Sequence, residues 1–213
     1  MRTTYNKFPE VYVQGYDDEA WQGWASVHSV LRSRVSESPK TVLIIDCYPG
    51  VRLDELEQHL FAALNATVVI NVESARRDEQ ALHALLARNL TDDRVFGVLS
   101  CHHLDEFFDP DKLNRMRQQI EAIPEGLVVV YGPGAALAHP GDVLVYADLP
   151  RWEIQQRMRH DGLGNWGAKN QNEDILRRYK RAFFIEWRGF FRPKKPLPQR
   201  AGYFLGTTGA GAP

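Results

Sequence analysis

The sequence predicts an α/β protein built on a doubly wound, mostly parallel sheet. Two observations lead there. "TVLIID", "ATVVINVES", "GLVVVYG" and "DVLVYADLP" are short, nearly continuous apolar runs, the pattern of strands buried on both faces. Segments with apolar residues at helical spacing lie between them, so the strands alternate with helices. Right-handed βαβ crossovers then make neighbouring strands parallel. A chain of 213 residues is long enough for one substantial core.

Residues 1–16 read as an irregular lead in which "VYVQG" forms an edge strand. Asp17 or Asp18 caps a helix reaching about Arg34, with Trp21, Trp24, Val27, His28 and Leu31 at helical spacing. "SESPK" ends it, and "TVLIID" is the first buried strand. After Gly50, Leu53, Leu56, Leu60 and Phe61 share one helix face, and "ATVVINVES" follows as the second strand. Residues 77–90 and Asp111 to Ile123 are helical, with the loop "NLTDDRVFGVLSCHHLDEFFDP" between them. After the third and fourth strands comes the charged helix "RWEIQQRMRHD", then "GLGNWGAKNQNED", whose Gly and Asn content is that of a mobile loop. "ILRRYKRAFFIEWRGFF" reads as a helix leading into an aromatic strand. This divides the chain into a lead and helix at 1–36, an α/β domain at 37–200 and a flexible tail at 201–213.

A formal net charge of -1 argues against general nucleic-acid binding. Two cysteines, Cys47 and Cys101, are too few for a disulfide framework and suit a reducing cytoplasm. No apolar stretch approaches the ~20 residues that span a bilayer, and "MRTTYNKFPE" lacks the apolar core of a signal peptide. The expected setting is cytoplasmic, with neither membrane nor nucleic acid as partner.

In a doubly wound sheet ligands bind outside the carboxyl ends of the strands. The residues to inspect are therefore Asp46 to Arg52, Glu73 to Arg77, Gly132 to Ala135 and Asp148 to Arg151. "DEFFDPDKLNRM", "GLVVVYGPGAAL" and "DVLVYADLPRWEIQQRMRHD", followed by "GLGNWGAKN", resemble the layout of uridine-kinase-like P-loop kinases. "YPGV", "FFDPDKL", "VVYGPGAAL", "YADLPRWEIQQR" and "YKRAFF…W" resemble more closely the N-terminal kinase-like domain of long bacterial mannose-6-phosphate isomerases, over residues 40–205. The resemblance implies a P-loop, nucleoside-kinase-like three-layer α/β/α fold. It would make ATP and Mg²⁺ the cofactors if the chain is an active phosphotransferase. No His/Glu set of the cupin kind is visible, so an isomerase label would describe only the parental architecture.

A working phosphate loop, G-x-x-x-x-G-K-[ST], needs its lysine for charge and its hydroxyl for Mg²⁺. With Gly50 as the second glycine, Val51 stands for the lysine and Arg52 for the hydroxyl; a one-residue shift makes Arg52 the cation and Leu53 the metal ligand. Either way the Mg²⁺ anchor is missing, and Asp46 adds negative charge. Weak anion binding at the helix start and an empty strand-to-helix turn both fit. Glu73 is placed by the resemblance as a general base, with Asp46 a doubtful second; Glu73 equally suits a helix cap. Arg157, Arg159 and Lys169 would clamp phosphates as lid residues, with Trp166 stacking on a base or sugar. Arg157 and Arg159 are roughly 200° apart on a helix, so at least one faces elsewhere.

Asp105, Phe107, Phe108, Asp109, Tyr131 and Gly132 would lie on the substrate side. "CHHLDEFFD" also invites a metal reading, but adjacent histidines rarely converge on one ion and no second ligand pair exists, so no metal site is expected. Tyr179, Lys180, Arg181 and Arg188, with Arg192, Lys194 and Lys195 beyond, read as a solvated basic rim on a final strand. Three function classes follow: a phosphate-ligand binding module with a degenerate loop, an active kinase using Arg52 and Glu73 or Asp46, and a structural partner domain. The last would dock on an isomerase or on itself through the Trp21/Trp24 helix or the aromatic C-terminal segment.

Overall fold

The computed structural model of the chain describes residues 6, 9–35, 38–209, 211 and 213. Among these, five strands form one sheet: β1 (Lys40–Cys47), β2 (Val68–Asn71), β3 (Gly126–Gly132), β4 (Val143–Asp148) and β5 (Tyr203–Gly206). Their order is β2-β3-β1-β4-β5, and every pairing is parallel. β1 pairs with β3 from Lys40↔Gly126 to Asp46↔Gly132 and with β4 from Leu43↔Val143 to Cys47↔Ala147. Leu43, Ile44, Ile45, Val128, Val129 and Val130 have no solvent exposure, which is why these strands read as continuous apolar runs.

The helices are α1 (Trp24–Val35), α2 (53–64), α3 (Glu79–Leu90), α4 (Pro110–Ala122), α5 (Arg151–His160) and α6 (175–194). α2 widens into a π turn at Glu57–Phe61 and stops at Asn65, which adopts a left-handed φ of 53°. α3 is capped by Asp78, whose carboxylate accepts from the Ala81 amide at 2.7 Å. Asp109 caps α4 by accepting from the Asp111 and Lys112 amides at 2.9 and 3.0 Å.

Four expectations need correction. No strand forms at 11–15, where Val11 and Tyr12 are exposed; the Tyr12 hydroxyl instead donates to Asp17 at 3.0 Å. α1 begins at Trp24, after Gly23 turns the chain at a φ of 82°, so neither Asp17 nor Asp18 caps it. The aromatic strand after "YKRAFF" is helix: α6 runs through a π turn at Ala182–Glu186 and on to Lys194. Burial of Ala182, Ile185, Glu186, Gly189 and Phe190 recurs at helical spacing, and packing overrides the strand preference of the phenylalanines. Finally, residues 201–213, expected as tail, supply β5, which pairs with β4 from Val145↔Tyr203 to Asp148↔Gly206.

The topology fixes where a ligand can sit. From β1 the chain leaves toward β2 on one side, and from β4 toward β5 on the other. The two connections part above β1 and β4, which opens a crevice at the carboxyl ends of those strands. No helix of the described residues is long and apolar enough to cross a membrane.

Candidate functional site

Between β1 and α2 the chain makes a short turn. The Tyr48 amide donates to Ala147 O at 2.8 Å and the Val51 amide to Tyr48 O at 3.2 Å. Gly50 lies at the bend with a φ of 101°, and a Cβ there would come within 3.1 Å of Ile154 Cγ1. Only glycine fits both the conformation and the space. Arg157 bolts this turn down. Its Nη1 donates to Gly50 O at 2.8 Å, its Nη2 to Thr207 O at 2.6 Å and its Nε to Glu153 at 2.9 Å. It is 2% exposed, so its cation is spent on the fold and does not face solvent as a phosphate clamp.

The other phosphate candidates also point elsewhere. Val51 is buried in the core. Arg52 reaches Glu55 at 3.3 Å and Asp161 at 2.5 Å. Arg159 lies over the Tyr179 ring at 5.4 Å, and Lys169 is exposed, with only its amide engaged, on Glu79 at 3.2 Å. Gly50, Val51, Arg52, Arg157, Arg159 and Lys169 therefore do not converge on one anion.

Asp46 is buried and accepts from the Gly134 amide at 2.9 Å and the Ala136 amide at 3.4 Å. Gly134 reaches that position with a φ of 90°. Burial pushes the Asp46 carboxyl up to about 6, against the pull of those amides. It ties the turn after β3 to the end of β1, both its oxygens accepting from backbone amides.

A cavity of about 240 Å³ lies above this turn, between Gly50, Val51, Glu73 and Pro133 on one side and Leu163 to Ala168 with Glu186 on the other. Its ionisable walls are Glu73 and Glu186, and no lysine or arginine lines it. Glu73 accepts from Trp166 Nε1 at 2.6 Å, with Arg76 at 3.6 Å. Asn71, not Glu73, caps the short helical turn here, accepting from the Glu73 amide at 2.9 Å. Trp166 is 9% exposed and packs against Phe107, Phe108 and Phe190, with ring centroids 5.9, 5.8 and 4.9 Å away. The indole expected to stack on a ligand is thus part of the core.

The loop bearing Trp166 is stitched to α6 by buried cations. Arg178 donates to Met158 O and Leu163 O at 2.9 and 3.1 Å, and Arg181 to Trp166 O at 3.2 Å. Arg181 also pairs with Glu186 at 3.1 Å; burial raises the Glu186 carboxyl and this guanidinium opposes the rise. Lys180 donates to the Thr91 and Asp93 carbonyls. Of the basic rim expected in solvent, Lys180 and Arg181 are buried, while Arg188 and Lys195 are exposed.

On the substrate side, Phe107 and Phe108 are core, Asp109 is a helix cap and Asp105 is exposed. Tyr131 donates to Glu57 and accepts from Asn71 at 3.3 Å; its phenol is pushed up to about 12, chiefly by burial. Gly132 follows it at a φ of 108°, with Asn71 Oδ1 3.1 Å from where a Cβ would stand. His102 contacts Glu106 at 2.8 Å.

A larger groove of about 1020 Å³ opens at the carboxyl ends of β4 and β5, lined by Asp148 to Arg151, Phe204 to Gly206, Thr208 and residues of α6, with Tyr48 reaching it from beyond β1. Four cations surround it, Arg151, Arg188, Arg192 and Lys194, against one carboxylate, Asp148. Lys194 pairs with Asp148 at 2.5 Å and lies 4.9 Å from the Tyr48 ring centre. Arg151 stacks over Trp187 at 5.2 Å. Arg192 donates to the carbonyls of Cys101 at 2.5 Å, His102 at 2.9 Å and Ser100 at 3.4 Å, and so meets no carboxylate. Arg188 is exposed. Arg188, Arg192 and Lys194, read from sequence as a rim on or beyond a final strand, lie on α6, and Arg151 opens α5.

Comparison with known proteins bears on the fold. A fructose transport system kinase, as described, from Silicibacter sp. TM1040 is 14% identical, with a TM-score of 0.54, covering 85% of this chain and 98% of that one. Shikimate kinase from Bacteroides thetaiotaomicron is 13% identical with a TM-score of 0.46, covering 79% and 87%. The fold is that of the P-loop kinases, an α/β/α sandwich on a parallel sheet. A search of curated proteins returned no match. A family model described as a domain of unknown function, DUF8485, matches residues 23–213, and the chain belongs to that family.

Proposed function

We propose that the chain is a kinase-fold binding module that holds a phosphorylated small molecule, a nucleotide or a sugar phosphate, without transferring its phosphoryl group. The observation that carries this reading is the excess of cations, four against one carboxylate, in the groove at the carboxyl ends of β4 and β5. The absence of transfer is inferred from the β1–α2 turn. Val51 and Arg52 stand where a lysine and a hydroxyl are needed, and Arg52 is drawn away by Glu55 and Asp161. Arg157 is buried against Gly50, and the cavity above the turn carries carboxylates instead of cations.

The relation to the N-terminal domain of long mannose-6-phosphate isomerases belongs to the same proposal, as the source of the sugar-phosphate option and of an isomerase as partner. It rests on the sequence phrases alone. Calorimetric titration of the full chain with ADP, ATP and mannose 6-phosphate, with product analysis of the ATP cell in Mg²⁺, tests the reading. Saturable binding with ATP intact is expected. No binding across the panel, or ATP consumed with Mg²⁺ dependence, overturns it.

A further inference from the structure

The geometry points to one ligand class for the groove between the ends of β4 and β5 and α6: an organic anion carrying an aromatic ring, its charge on Arg188, with Arg192 beside it, and its ring against Phe191. This rests on the binding-module reading and chooses within it, against a bare sugar phosphate.

The charge argument comes first. Of the four cations, Lys194 is neutralised by Asp148, and Arg151 is stacked on Trp187. Arg192 meets only neutral carbonyls, and Arg188 is exposed on the same helix. Residues four apart on a helix share a face, so exposed Arg188 offers its guanidinium to a phosphate or carboxylate while Arg192, held by the Ser100, Cys101 and His102 carbonyls, adds positive potential beside it. The ring argument is independent. Phe183, Phe191 and Phe204 line the groove while 52%, 50% and 56% exposed. Three half-exposed phenyl faces around a concave, cationic floor leave apolar area that a sugar's hydroxyls would not cover and an aromatic ring would. Phe191 precedes Arg192 and lies three residues from Arg188, so ring and charge are recognised by one turn of helix.

Titration of the full chain with inorganic phosphate, mannose 6-phosphate, phenyl phosphate and benzoate tests this. Phenyl phosphate is expected to bind about tenfold or more tightly than mannose 6-phosphate, and benzoate to compete with it. Arg188→Glu should weaken phenyl phosphate about tenfold or more, with an unchanged melting temperature, because the side chain is exposed. Phe191→Ala should cancel the advantage of the ring and leave inorganic phosphate unaffected. Equal affinity for the sugar and aryl phosphates, or indifference to both substitutions, overturns the inference and leaves the binding-module reading standing. ATP turnover alongside an intact Arg188 effect does the reverse. Failure of every probe to bind overturns both.

Discussion

Arg157 shows how a residue chosen for a ligand can be consumed by the fold. Arginine after the fourth strand, beside a glycine-rich loop, has the sequence character of a phosphate clamp. Its hydrogen bonds, to Glu153, Gly50 O, Thr207 O and Thr208 O, instead join α5, the β1–α2 turn and the segment after β5. Sequence could not disclose this, since three of the partners are backbone carbonyls and the third segment lies far along the chain. Arg157→Ala should therefore destabilise by about 3 kcal/mol, from buried carbonyls left without donors, as read by chemical denaturation. Asp46 makes a second residue-scale prediction. Its native carboxyl titrates near 6, above an ordinary value of 3.8, so the folded state holds the proton more tightly. That contribution is complete below about 4 and is lost as pH rises through about 6, amounting to about 3 kcal/mol at full value. The difference in unfolding free energy between wild type and Asp46→Asn should change across pH 4 to 6 and be flat above 7. A flat difference throughout contradicts the burial argument.

At the scale of elements, the four central runs were legible because parallel strands buried on both faces write themselves as unbroken apolar stretches. β5 was not, because it has four residues, preceded by Gly202 and ending in Gly206, and acquires meaning only beside β4. Truncation before Tyr203 removes those pairings and leaves the β4 edge open. The truncated chain should lose cooperative melting or aggregate, as seen by calorimetry and light scattering. The Gly/Asn loop departs from its composition for a related reason. Its composition is that of a mobile segment, but Arg178, Arg181 and Asn165 fasten its carbonyls and side chains to α6, and Trp166 fills an aromatic cluster. Trp166→Ala should cost about 3–5 kcal/mol and speed amide exchange across residues 161–174.

Over the whole molecule, architecture and chemistry separate. The fold is that of the kinase-fold neighbours, and the strand-end positions expected from sequence divide between two cavities: Gly50, Glu73 and Pro133 line the small one, Asp148 to Arg151 the larger groove. The strand ends were legible and the side chains there were not: Arg157 faces inward, Arg52 is paired with Glu55 and Asp161, and three of the four groove cations come from a segment read as strand and found as helix. The central claim, a kinase fold that binds without transferring, is tested most directly by ADP release from Mg²⁺-ATP, followed for the full chain and for Arg52→Ala. No release above buffer is predicted for either protein. Mg²⁺-dependent release that disappears in Arg52→Ala would contradict it.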